Sequence, residues 1–585
     1  MPGFLGAIGP IAPQGFEPEI RANLLQESKT GQGWFIERRT LNKFISDKPF
    51  YEDSQYLMLV EGVILNRKAL ETQYRADSFS DVVIAAYEKS GETFFNAFRG
   101  SFSGLFYDKK KDLWLIFTNH IGDKQVFYTS YERTFVFGSE PGFVVGYCKR
   151  NNYPLTLNRD AAYMLFTYGF FIENHTLACE IKKLTAGHYL KIFNGKTEEI
   201  QYHRFKNDPD HSKTEAEWIE GIDHYFRKAI KRQFDKDLEY GYKHITTLSG
   251  GLDSRMTVWV AHELGYTEQL NTTFSQSNYL DETISKKIAT DLKHEWLFKA
   301  LDHGNFLKNI DEISRITYGG GSYAGLVHGK SMYDLVDFEP FGIAHTGQIG
   351  DAIIGTFYQK PVAGTPHKIG DGAYSQTLIE RLNDYQFVYD YPNMEIFSLY
   401  SRAFTGANQG LLIFQEKTES VSPFTDVDFL EFCYSIPVEL RYKHKIYFDW
   451  ILQKYPGAAA YPWEKINDLI HPIPAYEAIN ILGKKVQKGY VAKWLKGAVV
   501  RRLPFKRETK KIDPLHSQKN MNPFDYWINT NECLRNFLNS YYKENISLLN
   551  DDMIKNDCCF LYDVSSAGVR LQVLTFLSAL KIHSL

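Results

Sequence analysis

The hydrophobic pattern of this chain changes period across Lys206-Asn-Asp-Pro-Asp-His-Ser-Lys213, and that change limits what it can fold into. Before it, short runs such as Tyr56–Val60, Gly104–Tyr107, Leu113–Thr118, Gln125–Tyr128 and Thr134–Phe137 predict strands broken by charged or glycine-containing turns. One helix is expected among them, from Ser80 to Lys89, with Gly91 beyond its end. Leu190–Phe193 and Thr197–Tyr202, joined across Asn194-Gly195, read as a hairpin, because that dipeptide accepts the left-handed backbone of a tight turn. After Lys213 the segments Thr214–Phe234, Ser254–Gly265 and Asp281–Leu292 have helical spacing. The apolar runs His244–Leu248 and Gln269–Phe274 lie between them. Strands alternating with helices of this length predict a parallel sheet covered on both faces. From about Pro361 helical stretches dominate, so the expected class is α/β, with a β-rich first part.

At 585 residues the chain is long enough for two to four domains with their own cores. A net charge of −3 argues against a general polyanion binder, and no nucleic acid is expected. The apolar runs Ala161–Ile172 and Ala403–Gln415 are shorter than the roughly 20 residues of a membrane span. The opening Met1-Pro2-Gly3-Phe4-Leu5-Gly6 lacks the basic start and apolar centre of a secretory signal, and the expectation is a cytoplasmic protein. Cys148, Cys179, Cys433, Cys533, Cys558 and Cys559 are scattered without CxxC spacing, which supports neither a zinc site nor a disulfide framework.

Chemistry concentrates in Thr246-Thr-Leu-Ser249-Gly250-Gly251-Leu252-Asp253-Ser254-Arg255, where a strand runs through Ser-Gly-Gly into a helix. Exposed N–H groups at such a turn form an anion nest, and the Ser249 and Ser254 hydroxyls add donors for a phosphate. Asp253 would repel a bare anion. The combination suggests Mg²⁺ between Asp253 and a polyphosphate. It is not a Walker loop, since no G-x-x-x-x-G-K-[ST] occurs there. A bland reading, an ordinary glycine-rich turn, stands beside it. The second segment, Ile343-Ala-His345-Thr346-Gly347-Gln348-Ile349-Gly350-Asp351, is again an apolar strand entering a glycine-containing turn that ends in an acid. In a parallel sheet the two turns can face each other at the carboxyl edge, where Asp253 and Asp351 would share a metal-bound pyrophosphate.

Ser249–Ser254 resembles the SGGxDS pyrophosphate loop of the ATP pyrophosphatase group, and the whole chain resembles glutamine-dependent asparagine synthetases. Met1–Gly6 is similar to that family's MCGIxG start and Glu61-Gly62-Val63-Ile64-Leu65-Asn66 to its NGEIYN. Arg99–Phe102 and Gly138–Glu140 are similar to its GxFA and ASE turns, Gly347–Asp351 to GEGxD, and Glu419–Asp426 to ExRxPFxD. The resemblance implies an inactive glutamine amidotransferase-like domain over residues 1–205, of the Ntn-hydrolase type with a β-sandwich layered by helices. A linker at 206–213 and an ATP-pyrophosphatase domain over 214–585, with a parallel sheet and a helical C-terminal part, would follow.

The departures bear on activity. Pro2 stands where the family has the cysteine that hydrolyses glutamine, and proline offers no nucleophile. Glu61-Gly62-Val63 replaces NGE, so the amide and carboxylate that would hold glutamine are lost. The role left to that domain is structural: covering the second domain or holding a homodimer.

In the second domain the resemblance implies that Leu248, Phe274, Thr346 and Gly347 contact the adenine and ribose of ATP. Ser249, Gly250, Gly251, Asp253 and Ser254 would hold its pyrophosphate, and Asp253 and Asp351 would bind Mg²⁺. Asp281-Glu282 reads equally as a substrate-side pair or an acidic helix start. Gln348 falls where asparagine synthetases have Glu and β-lactam synthetases Tyr, and its amide does not titrate near neutrality, so Glu419 is the expected general base. Val421 replaces the family's arginine. Lys465 is the nearest candidate for a charge-stabilising lysine, although its spacing from Pro462 does not fit and a solvent-exposed lysine is the plainer reading.

The implied reaction is ATP-dependent amide formation between a small-molecule or peptide carboxylate and an amine, releasing AMP and pyrophosphate. Lasso-peptide cyclases and β-lactam synthetases are similar in lacking glutamine hydrolysis. An asparagine synthase-type enzyme using ammonia and a non-catalytic scaffold are the alternatives. Between Lys484 and Lys511 eleven Lys/Arg stand against the single acid Glu508, with Trp494, Leu495, Val499, Val500 and Leu503 interleaved. Such a segment suits an anionic membrane surface or an acidic partner, or is a solvated helix with an apolar stripe.

Overall fold

The computed structural model describes residues 2–10, 23–473, 478–481, 484–487 and 520–585. The first strands are β1 (Gly3–Ile8), β2 (Leu24–Gly31), β3 (Trp34–Leu41), β4 (Phe50–Glu52), β5 (Tyr56–Ile64) and β6 (Gly100–Asp108). They are followed by β7 (Leu113–Thr118), β8 (Phe127–Tyr131), β9 (Thr134–Gly138), β10 (Lys182–Lys183), β11 (His188–Phe193) and β12 (Lys196–Gln201). Two antiparallel sheets result, in the orders β10-β8-β9-β1-β3-β2 and β12-β11-β7-β6-β5-β4. Phe4, Trp34 and Phe137 from the first interleave with Leu59, Leu105 and Trp114 from the second, so the inner faces form one sandwich core. The outer faces bury the helix Phe79–Ser90 on one side and Pro141–Arg150 on the other.

Local signals set these elements. The hairpin turn holds Asn194 at φ 51° and Gly195 at φ 70°, the left-handed pair its sequence predicts. The helix expected from Ser80 starts a residue earlier, because Ser78 accepts the Asp81 N–H as its cap, and Gly91 closes it at φ 68°.

The second part is built on α2 (Glu215–Glu239), α3 (Leu252–Glu263) and α4 (Leu280–Leu292), after α1 (Arg159–Tyr168) of the first part. Thr214 and Glu217 cap α2 reciprocally, which fixes where the connecting stretch ends. The strands β13 (Lys243–Thr247), β14 (Gln269–Ser275), β15 (Glu295–Ala300), β16 (Phe341–His345) and β17 (Ser420–Val421) are all parallel, in the order β15-β14-β13-β16-β17. Chain order reverses between β13 and β16, and such a switch point opens a crevice at the carboxyl ends. Helices α5 (Lys445–Lys454) and α6 (Ala567–His583) pack around that end.

The expected boundary at residue 205 does not coincide with the packing. Ala161–Ile172 is buried in the same core as α6, with Phe166 and Phe576 rings 5.0 Å apart and Tyr163 donating to Asp557 at 2.9 Å. Nor does 206–213 hang free: the Asp210 N–H bonds Ser435 O at 2.8 Å and Asn207 bonds the buried Glu395 at 2.9 Å. Among the described residues no helix is long and apolar enough to cross a membrane. Of the basic stretch 484–511, only the hairpin strand Lys484–Gln487, paired with Ala478–Ile481, lies within the described residues.

Candidate active site

At the end of β13 the turn Ser249–Ser254 is closed by its own groups. The Ser249 N–H donates to Ser254 Oγ at 3.0 Å, Gly251 N–H to Ser249 Oγ at 3.1 Å, and Gly250 N–H to Asp281 Oδ1 at 2.7 Å. The sequence suggested open donors here; instead a carboxylate already occupies the nest. Burial pushes the Asp281 carboxyl up to about 7, against the Gly250 N–H and with the added charge of Glu464. Glu282, by contrast, only accepts the Asn278 N–H at the exposed start of α4.

Arg255, fully buried one residue beyond the turn, joins it to a distant segment. Its guanidinium donates to Gly250 O at 2.9 Å, Pro462 O at 2.5 Å, Tyr461 O at 2.9 Å and Ala458 O at 3.2 Å. Each carbonyl gains a charged donor, and the stretch after Pro462 is drawn across the loop. That is why Lys465, exposed as the plainer reading had it, nevertheless lines the cavity, its ammonium 5.3 Å from the centre of the Trp463 ring. Spacing along the chain could not reveal this, since the bridge spans some two hundred residues and runs through backbone oxygens.

The second turn presses against the first. A Cβ on Gly347 would lie 2.3 Å from Ser254 N, and one on Gly350 would lie 2.6 Å from Asp253 Cγ, so both positions exclude side chains. The approach lets the Asp351 N–H donate to Asp253 Oδ2 at 2.9 Å, while the buried Tyr447 of α5 donates to Oδ1 at 2.9 Å. Loss of solvent around Asp253, and then the charge of Asp351, push the Asp253 carboxyl well up. Two carboxylates sharing one spot in this way favour a proton or a cation.

Around them opens a cavity of about 1090 Å³. Leu248, Phe274, Thr346, Gly347 and Gln348 line it together with Ser249, Gly251, Asp253, Ser254, Asp281 and Asp351; Gly250 does not. His328 faces Phe274 with ring centres 5.1 Å apart, and burial lowers its pKa, which keeps that end neutral. Gln348 is fixed by donating to Ala407 O at 2.5 Å, and its own carbonyl accepts from Ser422 at 3.0 Å.

Glu419 is the one expected catalytic residue that the fold holds away from the cavity. Only 3% exposed, it pairs with Lys48 at 2.8 Å and Lys124 at 2.7 Å, both from the first part of the chain. Burial raises its pKa, but the two ammonium groups outweigh that and hold it at about 2. A carboxylate so pinned is a poor proton acceptor. Motif order suggested a base; the partners that decide otherwise come from a different domain. Lys48 also lies 3.5 Å from Glu61, so Glu61, expected to have lost a substrate-holding role, belongs to this ionic cluster.

Pro2 leads into β1 without a nucleophile. Cys148 is buried in the helix Pro141–Arg150, where burial, then the charge of Glu180, push its thiol up to about 12. Incubation of the purified protein with glutamine is expected to yield no glutamate above background, and thiol-directed glutamine analogues should leave the amino terminus unlabelled. Release at a rate similar to ATP turnover would overturn the nucleophile argument.

Residues 42–203 match the glutamine amidotransferase domain family. Asparagine synthetase (glutamine-hydrolysing) 2 of Bacillus subtilis is 28% identical over 282 residues, 43% of this chain and 34% of that protein. Asparagine synthetase B of Escherichia coli is 26% identical over 216 residues, 35% of this chain and 32% of that protein. The chain spans between a third and about half of the length of the curated relatives it matches. Glutamine phosphoribosylpyrophosphate amidotransferase from Bacillus subtilis, solved with ADP and GMP, shares 9% identity at a TM-score of 0.22, over 46% of this chain and 77% of that one. These sequence relatives support an amidotransferase-type ligase class. Residues 42–203 are thus similar to glutamine amidotransferase domains, and between a third and a half of the chain is similar to asparagine synthetases.

Proposed function

We propose that the protein is an ATP-dependent amide ligase that adenylates a carboxylate, releases pyrophosphate, and passes the acyl group to an amine without hydrolysing glutamine itself. One observation carries the reading: Asp253 and Asp351 meet across two glycine-framed strand ends at the floor of a cavity large enough for a nucleotide and a second substrate. In this reading Leu248, Phe274, Thr346 and Gly347 hold the adenosine. The Ser249 and Ser254 hydroxyls turn from each other to the β- and γ-phosphates, and Lys465 faces the charge that develops as pyrophosphate departs.

The donors at Asp253 and Asp351 are hard oxygens with surplus negative charge, a set that fits Mg²⁺. Bound there, the ion would neutralise charge on the leaving pyrophosphate. The substrate carboxylate oxygen attacks the α-phosphorus, and the bond to the β-phosphate oxygen breaks. The amine nitrogen then attacks the acyl carbon, AMP leaves with the electrons of the acyl–oxygen bond, and the proton shed by the nitrogen passes to water. Gln348, tied to Ala407 O, orients the acyl group and takes no proton. Residues 1–205 serve as a structural cover.

ATP turnover in the presence of the carboxylate substrate is expected to yield AMP and pyrophosphate in equal amounts, separable by ion-exchange chromatography. ADP with inorganic phosphate would sink the assignment.

A further inference from the structure

The acidic, basic and imidazole groups that line the cavity gather where the two strand-end turns meet, with one exception: His328, at the Phe274 end. His328 stands on the short helix Val327–Tyr333, its ring centre 5.1 Å from that of Phe274. The surface around it is apolar. Leu326, Ile413 and Phe414 line the cavity there, and a Cβ on Gly329 would lie 2.6 Å from Ile413 Cδ1 and 3.6 Å from Phe274 Cζ, so the wall is bare beside the imidazole. The nearby hydroxyls are already spent. Thr272 donates to Thr246 O at 3.1 Å and lies 3.0 Å from the Tyr333 hydroxyl, and Thr273 donates to Leu248 O at 2.7 Å.

The ring of His328 has a fixed polarity. Nδ1 lies 3.1 Å from Ala324 O, and a carbonyl only accepts, so Nδ1 carries the proton. Burial disfavours a second proton, which leaves Nε2 with its lone pair. Nε2 has no partner among the described residues, and it is not sealed from solvent. A bare acceptor in an aromatic, apolar corner calls for a donor on the edge of whatever ring fills that corner.

Resting on the adenylating reading above, which seats the adenosine against Phe274, we propose that His328 selects the base: Nε2 accepts an N–H of the 6-amino group, so the site takes a 6-aminopurine and rejects a 6-oxopurine. Adenine carries a donor on that edge. Guanine and hypoxanthine carry an oxygen there, whose lone pairs would face that of Nε2 and leave both acceptors unpaired. The ribose hydroxyls are donors as well. With the triphosphate held at Asp253 and Asp351, however, the sugar falls between the charged turns and the base. The flat corner of Phe274, His328 and Gly329 then suits the planar ring rather than the sugar.

The test is calorimetric titration of the full chain, in the presence of Mg²⁺, with ATP, ITP, purine riboside triphosphate, 2′-deoxy-ATP and 3′-deoxy-ATP. Purine riboside triphosphate, which has hydrogen in place of the amino group, should bind about tenfold more weakly than ATP, the loss of one hydrogen bond. ITP should bind ~10–10²-fold more weakly, since two acceptors then oppose each other. His328→Phe keeps a ring beside Phe274 and should weaken ATP and both deoxy analogues about tenfold, while purine riboside triphosphate binds as before. A merely structural role would weaken all of them alike. His328→Gln, whose amide can turn either its oxygen or its nitrogen to the base, should narrow the gap between ATP and ITP. Equal wild-type binding of ATP and ITP, or equal losses for ATP and purine riboside triphosphate in His328→Phe, would overturn the inference while sparing the ligase reading. A deoxy analogue indifferent to His328→Phe would overturn it as well, by moving the contact to the sugar. Binding of none of the nucleotides would remove both.

Discussion

Asp253→Asn is expected to cut pyrophosphate release by at least ~10²–10³-fold, the usual loss when one preorganised electrostatic partner of a developing charge is removed. The fold should persist. Asparagine keeps an oxygen to accept from Tyr447 or from the Asp351 N–H, and it removes a carboxylate that loss of solvent and Asp351 both disfavour. Activity and stability therefore separate: release falls while the thermal midpoint stays level or rises. Measuring release and melting on one preparation checks both. Near-normal release would reduce Ser249–Ser254 to an ordinary turn, and a collapsed midpoint would make Asp253 a structural residue.

The second large effect is at Glu419. Substitution by glutamine leaves Lys48, whose side chain is fully buried, and Lys124 facing each other without their shared carboxylate. Breaking a buried ion pair from one side costs about 3–5 kcal/mol, because the stranded charge stays desolvated. Denaturant titration should show that loss, with turnover per folded molecule unchanged. The acid limb gives an independent reading. The folded-state pKa of about 2 lies below the ordinary 4.5, so this group's stabilising contribution is complete above pH 4.5 and is lost as pH falls toward 2. The variant should lack that slope. If it instead keeps wild-type stability and loses amide formation, Glu419 acts as a base after all.

Much of this was legible in the sequence where the signal was local. The strand Leu113–Thr118, the Asn194-Gly195 turn and the alternation from Thr214 onward follow from periodicity and turn chemistry within a few residues. The turns at Ser249 and Gly347 were readable because glycine is required where two backbones nearly touch. What escaped was set by long-range partners. Nothing near Glu419 announces Lys48 or Lys124, nothing near Arg255 announces carbonyls beyond residue 457, and the phenol of Tyr447 looks like any buried tyrosine on a helix face. The Asp281 carboxylate inside the nest was equally hidden, since an acidic first turn is ordinary in a helix.

The shared burial of Ala161–Ile172 and α6 has a consequence for how the molecule is made. A ribosome releases the apolar faces of α1 long before the helix that covers them. With roughly 400 residues between the two and elongation at about 5–20 residues per second, that surface waits on the order of 20–80 s for its cover. During this interval the sandwich can already be complete while its neighbour is not, so the nascent chain presents a finished body joined to a sticky, unfinished flank. Until the last helix is made, that flank stays open to solvent and to other chains.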